Sequence, residues 1–370
     1  MTSVIGRARR RVATALLILA WLDVAVAGAA ASAQESDPLP FYAYYYIWFD
    51  PGSWNRAKDD FPLIGRYSSD DEQVMRAHVQ WAKEAGIDGF IVSWKDTDRL
   101  TRRLETLVEV AADNDFELAI IYQGLDFERR PLPAERIAED LEGFIEQYGT
   151  QPVFARRFGR PVVIWSGTWE FEVEEIGAVR QRVGEKLLLL GSERSLAGYE
   201  RLGQLVDGNA YYWSSVDPEV TPGYPDKLAE MGRAIHDKGG LWFAPAAPGF
   251  DARRIGGWRV IERAGGETLR SEIGVALQSA PDVLGLISWN EFTENTHIEP
   301  SEDHGTSALQ VLADIRGGTI PNVGEFESDA PASTEPSRAN LSILLGLAGF
   351  VVLSLAAAIL RRGHFRASSR

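Results

Sequence analysis

Val283-Leu284-Gly285-Leu286-Ile287-Ser288-Trp289-Asn290-Glu291-Phe292-Thr293-Glu294 is the stretch whose reading decides the fold. Its first five residues are apolar, the pattern of a strand buried on both faces. Polar and aromatic groups follow at once. Seven more runs of this kind lie upstream, so the strand-like segments are 41–49, 89–94, 117–123, 161–167, 186–192, 207–213, 241–249 and 283–292. Helical patterns alternate with them at 70–85, 100–114, 134–148, 171–183, 195–205, 226–237, 267–280 and 306–315. The first opens on Ser69-Asp70-Asp71-Glu72, a capping-box sequence with Asp70 as the expected N-cap, and stops at Gly86. Repeated strand–helix units of this number and length predict an α/β chain folded as a single (β/α)8 TIM barrel. A doubly wound open sheet is the runner-up, but no glycine-rich phosphate loop follows any strand.

A barrel gathers its functional groups at the C-terminal ends of its strands. Read that way, Tyr44, Tyr46 and Trp48 alternate to one face of the first strand. The second ends in Ser93-Trp94, the third in Tyr122-Gln123, the sixth in Tyr212-Trp213 and the eighth in Asn290-Glu291. The candidate substrate contacts are therefore Tyr44, Tyr46, Trp48, Trp94, Tyr122, Gln123, Tyr212, Trp213 and Asn290. Glu291 and Glu294 stand three residues apart among aromatics. A carboxylate pair in such a setting suits sugar cleavage, with one group donating a proton to the leaving oxygen and the other acting as base or nucleophile. The bland alternative is a pair that caps the loop by accepting backbone N–H groups. Glu299 reads as a structural hydrogen-bond acceptor, and Asp59-Asp60 as solvated surface. The five histidines form no spaced metal set, so neither metal nor cofactor is expected.

The two ends read differently from the middle. Arg7, Arg9, Arg10 and Arg11 precede an apolar run over 12–30, and Ala31-Ser32-Ala33 offers a small-x-small cleavage site. Residues 1–33 thus read as a secretory signal peptide. An uncleaved anchor is the alternative, disfavoured by Asp23 within the run. Residues 321–340 are rich in Pro, Ser, Ala and acids and read as a flexible stalk. Residues 341–360, from Leu341 to Leu360, carry no charge and are long enough for one membrane helix. The basic tail 361–370, with Arg361, Arg362, Arg366 and Arg370, places the C-terminus in the cytoplasm and the barrel, 34–320, outside.

The chain carries a formal charge of −15. Setting aside the terminal arginines makes the remainder more acidic still, which disfavours nucleic acid and anionic lipid as partners. With no cysteine there is neither a disulfide framework nor thiolate chemistry. The expected partners are an oligo- or polysaccharide and the membrane, with the protein a monomer.

Over residues 41–315 the chain resembles glycoside hydrolase family 99, the endo-α-mannosidases and endo-α-mannanases. The likeness rests on the aromatic first strand, on Pro62-x-x-Gly65-x-Tyr67-x-x-Asp70, and on Ala85-Gly86-Ile87-Asp88-Gly89-Phe90-Ile91-Val92-Ser93-Trp94. Asp207-Gly208, Ala247-Pro248-Gly249-Phe250-Asp251 and Ser288-Trp289-Asn290-Glu291 continue it. The resemblance implies a barrel fold and hydrolysis of α-mannosides with retention, without a metal. It assigns Glu291 as the base that takes the proton of the sugar 2-hydroxyl, giving a 1,2-anhydro sugar. It assigns Glu294 as the acid that protonates the leaving oxygen and then deprotonates water. Phe292, Thr293, Asn295 and His297 stand where the family has Trp, His, Gly and Gln, and Gln123 stands where it has Glu. Lys95 and Asp96 replace an aromatic and a Gly. Non-catalytic glycan binding, glycan assembly and action on α-glucan stay open as alternatives.

Overall fold

The computed structural model describes residues 38–325 apart from residue 127. Eight strands, β1 (Phe41–Tyr46), β2 (Gly89–Trp94), β3 (Glu117–Gln123), β4 (Val162–Ser166), β5 (Leu188–Gly191), β6 (Gly208–Ala210), β7 (Leu241–Ala246) and β8 (Val283–Leu286), close into a barrel. Every neighbouring pair is parallel, and β1 joins β8 to β2. A helix follows each strand: α1 (Glu72–Glu84), α2 (Asp98–Asp113), α3 (Ala134–Tyr148), α4 (Val173–Val183), α5 (Leu196–Leu202), α6 (Tyr224–His236), α7 (Glu267–Gln278) and α8 (Ser307–Arg316). The expected (β/α)8 barrel is the fold observed. Among the described residues no helix is long and apolar enough to cross a membrane. The expected leader at 1–33, most of the expected stalk, and the expected span and tail at 341–370 lie outside the described residues.

Strand alternation divides the apolar residues into two cores. Tyr42, Tyr44, Ile91, Ile121, Ile164, Leu190, Phe243 and Ile287 fill the barrel interior. Their chain neighbours, among them Phe90, Val92, Ile120, Val163, Trp165 and Leu189, pack outward against the helices. Burying each such large apolar side chain stabilises the fold by about 1.5–3 kcal/mol. One glycine is required by close approach: a Cβ at Gly208 would stand 2.1 Å from the Leu241 carbonyl oxygen across the β6–β7 pairing.

Two expectations near the site change. The N-cap of α1 is Asp71, whose side chain accepts the Gln73 N–H at 3.0 Å. Asp70, one residue earlier, instead accepts from Arg103 Nε at 2.8 Å and Nη2 at 2.6 Å. Arg103 is buried and also donates to the Ile47 carbonyl and to Asp50. This network fastens the loop after β1, which carries Trp48, onto α2. The first and eighth strands are also shorter than the apolar runs suggested, ending at Tyr46 and Leu286. Trp48 and both carboxylates therefore lie on loops at the barrel rim.

Candidate active site

The loop after β8 is held by side-chain to backbone bonds. Asn290 Oδ1 accepts the Tyr46 N–H at 2.8 Å, and Nδ2 donates to the Tyr46 carbonyl at 3.0 Å and to the Tyr67 hydroxyl at 3.2 Å. The Glu291 N–H donates to Ser288 Oγ at 2.8 Å. The Glu294 carbonyl accepts the Asp251 N–H at 2.8 Å, and Arg263 Nη2 donates to the Asn295 carbonyl at 3.0 Å. Deeper in, Glu299 accepts from Tyr67 at 2.8 Å and from His78 Nε2 at 3.0 Å. His78 Nδ1 is then the acceptor for the Tyr45 hydroxyl at 3.0 Å. Glu299 is thus a strut, as its sequence suggested.

These constraints bring Glu291 and Glu294 into one cleft with Tyr46, Trp48, Ile121, Gln123 and Tyr212. The carboxylates are only 7% and 4% exposed. The Tyr46 and Tyr212 hydroxyls meet at 2.7 Å, and the Trp48 ring lies 4.2 Å from that of Tyr46. Gln123 Nε2 donates to Ser93 Oγ at 3.0 Å.

Burial raises the pKa of both carboxyls, but their surroundings differ. Glu291 accepts the Thr293 N–H at 2.8 Å, and the Thr293 side chain, the Glu294 N–H and the charge of Lys58 also favour its anion. Glu294 is pushed up further, first by burial and then by the charge of Glu291, with only the charge of Arg129 opposing. Its Oε2 has no hydrogen-bond partner among the described residues. One member is thus equipped to hold a negative charge and the other to hold a proton, the division acid–base catalysis needs. The same charges and burial raise the Tyr46 and Tyr212 hydroxyls well above their ordinary range, so both stay protonated.

The structure brings Tyr46, Trp48, Gln123 and Tyr212 into the cleft with the two glutamates and places Trp213 in an adjoining hollow. Four expected contacts lie elsewhere. Trp94 and Tyr122 point outward, because Ser93 and Gln123 take the inward positions beside them. Trp94 packs against Phe144 and donates to Thr101, and the Tyr122 hydroxyl donates to Asp140 at 2.8 Å. Tyr44 faces inward but sits one layer too deep, its ring 4.9 Å from that of Tyr212 and 1% exposed. Asn290 is fully buried in its backbone clamp. A further correction concerns Asp60, which is buried rather than solvated and accepts from His297 Nε2 at 3.0 Å.

His297 stacks on Phe292 with centroids 4.0 Å apart. Burial, with the charge of Arg263, pushes its pKa down to about 3. Asp60, His297 and His304 place possible ligand atoms within 4.8 Å of one another, a grouping invisible in the sequence spacing. Asp60 Oδ1 already accepts the Phe61 and Asp303 N–H groups, and the Arg263 cation adjoins the trio. These bonds give it a bracing role beneath the loop after β8.

The mouth continues into a second hollow that shares Ile121 and Tyr212 with the first. Ser166, Trp169, Ser192, Arg194, Ser214 and Ser215 line it. The sequence reading missed these residues. The only signal was a serine at the C-terminal end of an apolar strand, as in Val163-Ile164-Trp165-Ser166.

The model of glycosyl hydrolase family 99 matches residues 55–316. The rat protein "Glycoprotein endo-alpha-1,2-mannosidase" is 22% identical over 285 residues, which span 69% of this chain and 59% of that one. A zebrafish (Danio rerio) "Glycoprotein endo-alpha-1,2-mannosidase-like protein" is 23% identical over 286 residues, spanning 69% of this chain and 62% of its own. The chain thus covers about three fifths of the length of these relatives. Among solved structures, the GH99 endo-alpha-mannosidase of Bacteroides thetaiotaomicron superposes with a TM-score of 0.65 at 18% identity, over 75% of this chain and 96% of that one. That likeness is one of fold.

Proposed function

Because the chain belongs to glycosyl hydrolase family 99, we propose that it hydrolyses α-mannosidic linkages within a glycan, with retention of configuration, and that Glu291 and Glu294 are its catalytic pair. The observation that carries this reading is the unequal pair of buried carboxyls in one cleft: Glu291 accepts the Thr293 N–H, whereas Glu294 has an Oε2 without a partner among the described residues and a pKa pushed up further by burial and by the charge of Glu291. In the first step Glu291 takes the proton of the sugar 2-hydroxyl, and the freed oxygen attacks C1. Glu294 gives its proton to the departing glycosidic oxygen, and a 1,2-anhydro sugar results. In the second step Glu294, now ionised, takes a proton from water. That water opens the epoxide at C1, and O2 recovers its proton from Glu291. Two inversions at C1 give net retention.

The stereochemistry favours α-mannosides. Their axial 2-hydroxyl is anti to the axial leaving group, so backside attack is open. In an α-glucoside the 2-hydroxyl is cis to the leaving group, and this route is closed. Of the hydrogen-bonded Tyr46 and Tyr212 hydroxyls one donates to the other, which leaves one O–H beside the carboxylates to donate to a sugar, and Trp48 offers an aromatic face to the apolar side of a sugar ring. The proposal extends to a monomer held by a single membrane span at 341–360, with the barrel outside the cytoplasm and 321–340 as its stalk. The pattern of terminal arginines and apolar runs supports that placement. Protease treatment of intact cells should remove the barrel while sparing the tail, and protection of the barrel would refute the topology.

Glu291→Gln and Glu294→Gln test the chemistry. Each is expected to lower turnover of an α-mannan oligosaccharide by about 10²–10⁴-fold while the fold is kept. Wild-type turnover in either variant would remove that residue from the mechanism.

A further inference from the structure

The second hollow contains a cation that its own protein does not satisfy. Arg194 lies flat on the Trp169 ring, with its Cζ 3.5 Å from the ring centroid. Stacking of this kind uses the face of the guanidinium and none of its five N–H donors. Among the described residues no hydrogen bond or ion pair engages those donors. Glu193, one residue away, is held by Arg201 Nη2 at 3.1 Å. Glu170 and Glu193 act on Arg194 only through their charges. Burial and the neighbouring Arg129 push the pKa of Arg194 down to about 10, which leaves it positive at neutral pH.

Three serines stand around the same hollow. Ser166, Ser214 and Ser215 line the hollow and are at most 3% exposed, and their Oγ atoms have no partner among the described residues. Unpaired buried hydroxyls are costly unless a ligand completes them, and the partly buried guanidinium beside them has carboxylates near it but, among the described residues, no hydrogen bond to either. An acidic protein repels anions over most of its surface, so a pair of arginines at the cleft mouth gives a local exception. Arg129 lies close enough to feel the charge of Glu294, which ties this cationic spot to the reacting centre.

We infer that the hollow is a subsite for a sugar bearing an anionic substituent, a carboxylate or a phosphate ester, held by the edge of Arg194 with Ser166, Ser214 and Ser215 donating to the ring hydroxyls or to the anion. The substrate is then an acidic α-mannose-containing glycan rather than a neutral mannan. A stacked guanidinium presents two parallel N–H groups in the geometry that matches either anion. This inference rests on the hydrolase reading for its chemistry but not for its binding.

The test uses the full chain and three ligands on one α-mannosyl backbone: neutral, carrying a terminal uronic acid, and carrying a phosphate monoester. Affinity is measured by calorimetry with Glu294→Gln, and kcat/KM with the wild type. At least one anionic ligand should exceed the neutral one by tenfold or more in both, with the advantage shrinking as salt is raised. Which of the two gains tells carboxylate from phosphate. Arg194→Gln should cut the anionic-to-neutral ratio by at least tenfold, and Arg194→Lys should keep part of it. Equal use of neutral and anionic ligands, or an equal loss on both in Arg194→Gln, overturns the subsite while leaving the hydrolase reading intact. Tighter binding of an anionic ligand with no sugar released from any of the three does the reverse. No binding of any ligand overturns both.

Discussion

Glu294→Gln should make the protein more stable at alkaline pH. The wild-type side chain is 4% exposed, has an oxygen without a partner and faces the Glu291 charge. Glutamine keeps its shape and removes the charge. A buried polar group left unpaired costs about 1–3 kcal/mol, and more when charged, so a gain of about 1–3 kcal/mol is expected where the wild-type group is ionised. The sign follows from linkage. The folded-state pKa lies above the unfolded one, so the carboxyl is harmless at low pH, where both states are protonated. Its cost enters as the pH rises past the ordinary glutamate value and levels off above the raised folded value. Thermal unfolding of wild type and variant at pH 4 and pH 8, followed by circular dichroism, reads this directly. The melting temperatures should coincide at pH 4 and differ by about 2–6 °C in favour of the variant at pH 8. A variant no more stable than the wild type at pH 8, or equally stabilised at both pH values, would refute the assignment of Glu294 as a buried and uncompensated acid.

The two tryptophans at the strand ends should behave oppositely. Trp48→Ala removes a ring face at the mouth and should raise KM by about tenfold, the equivalent of about 1.4 kcal/mol, with little effect on unfolding. Trp94→Phe should leave KM unchanged but destabilise the barrel–helix layer by about 1–3 kcal/mol in denaturant titration, because Trp94 packs on Phe144 away from the cleft. Asn290→Ala leaves the Tyr46 N–H and carbonyl without their partners. It should cost about 2–4 kcal/mol in the same titration, a loss that an Asn290→Ala chain with wild-type stability would contradict.

The barrel was legible because its elements are governed by local pattern. Glu117–Gln123 and Ala134–Tyr148 begin and end where apolar periodicity says they should. The glutamates were legible for the same reason, since they follow the eighth apolar run directly. Face and depth were harder. Trp94 and Tyr122 sit beside inward residues, and a shift of one position exchanges cleft for core. Tyr44 has the inward parity, but height along the barrel axis depends on the register with β8 and β2, which no local pattern encodes. Asp60 and His297 are 237 residues apart, and only the closed barrel joins them. Arg194 lies in Ser192-Glu193-Arg194, a stretch that reads as an ordinary polar loop. Its significance comes from the Trp169 ring beneath it and from the lack, among the described residues, of a hydrogen-bonded carboxylate, both tertiary facts.

The most direct measurement is the configuration of the sugar first released from an α-mannan oligosaccharide, followed by proton NMR before mutarotation. Retention through Glu291 and Glu294 gives the α-anomer as the initial product. Initial release of the β-anomer would contradict the two-step route and the roles given to both carboxyls.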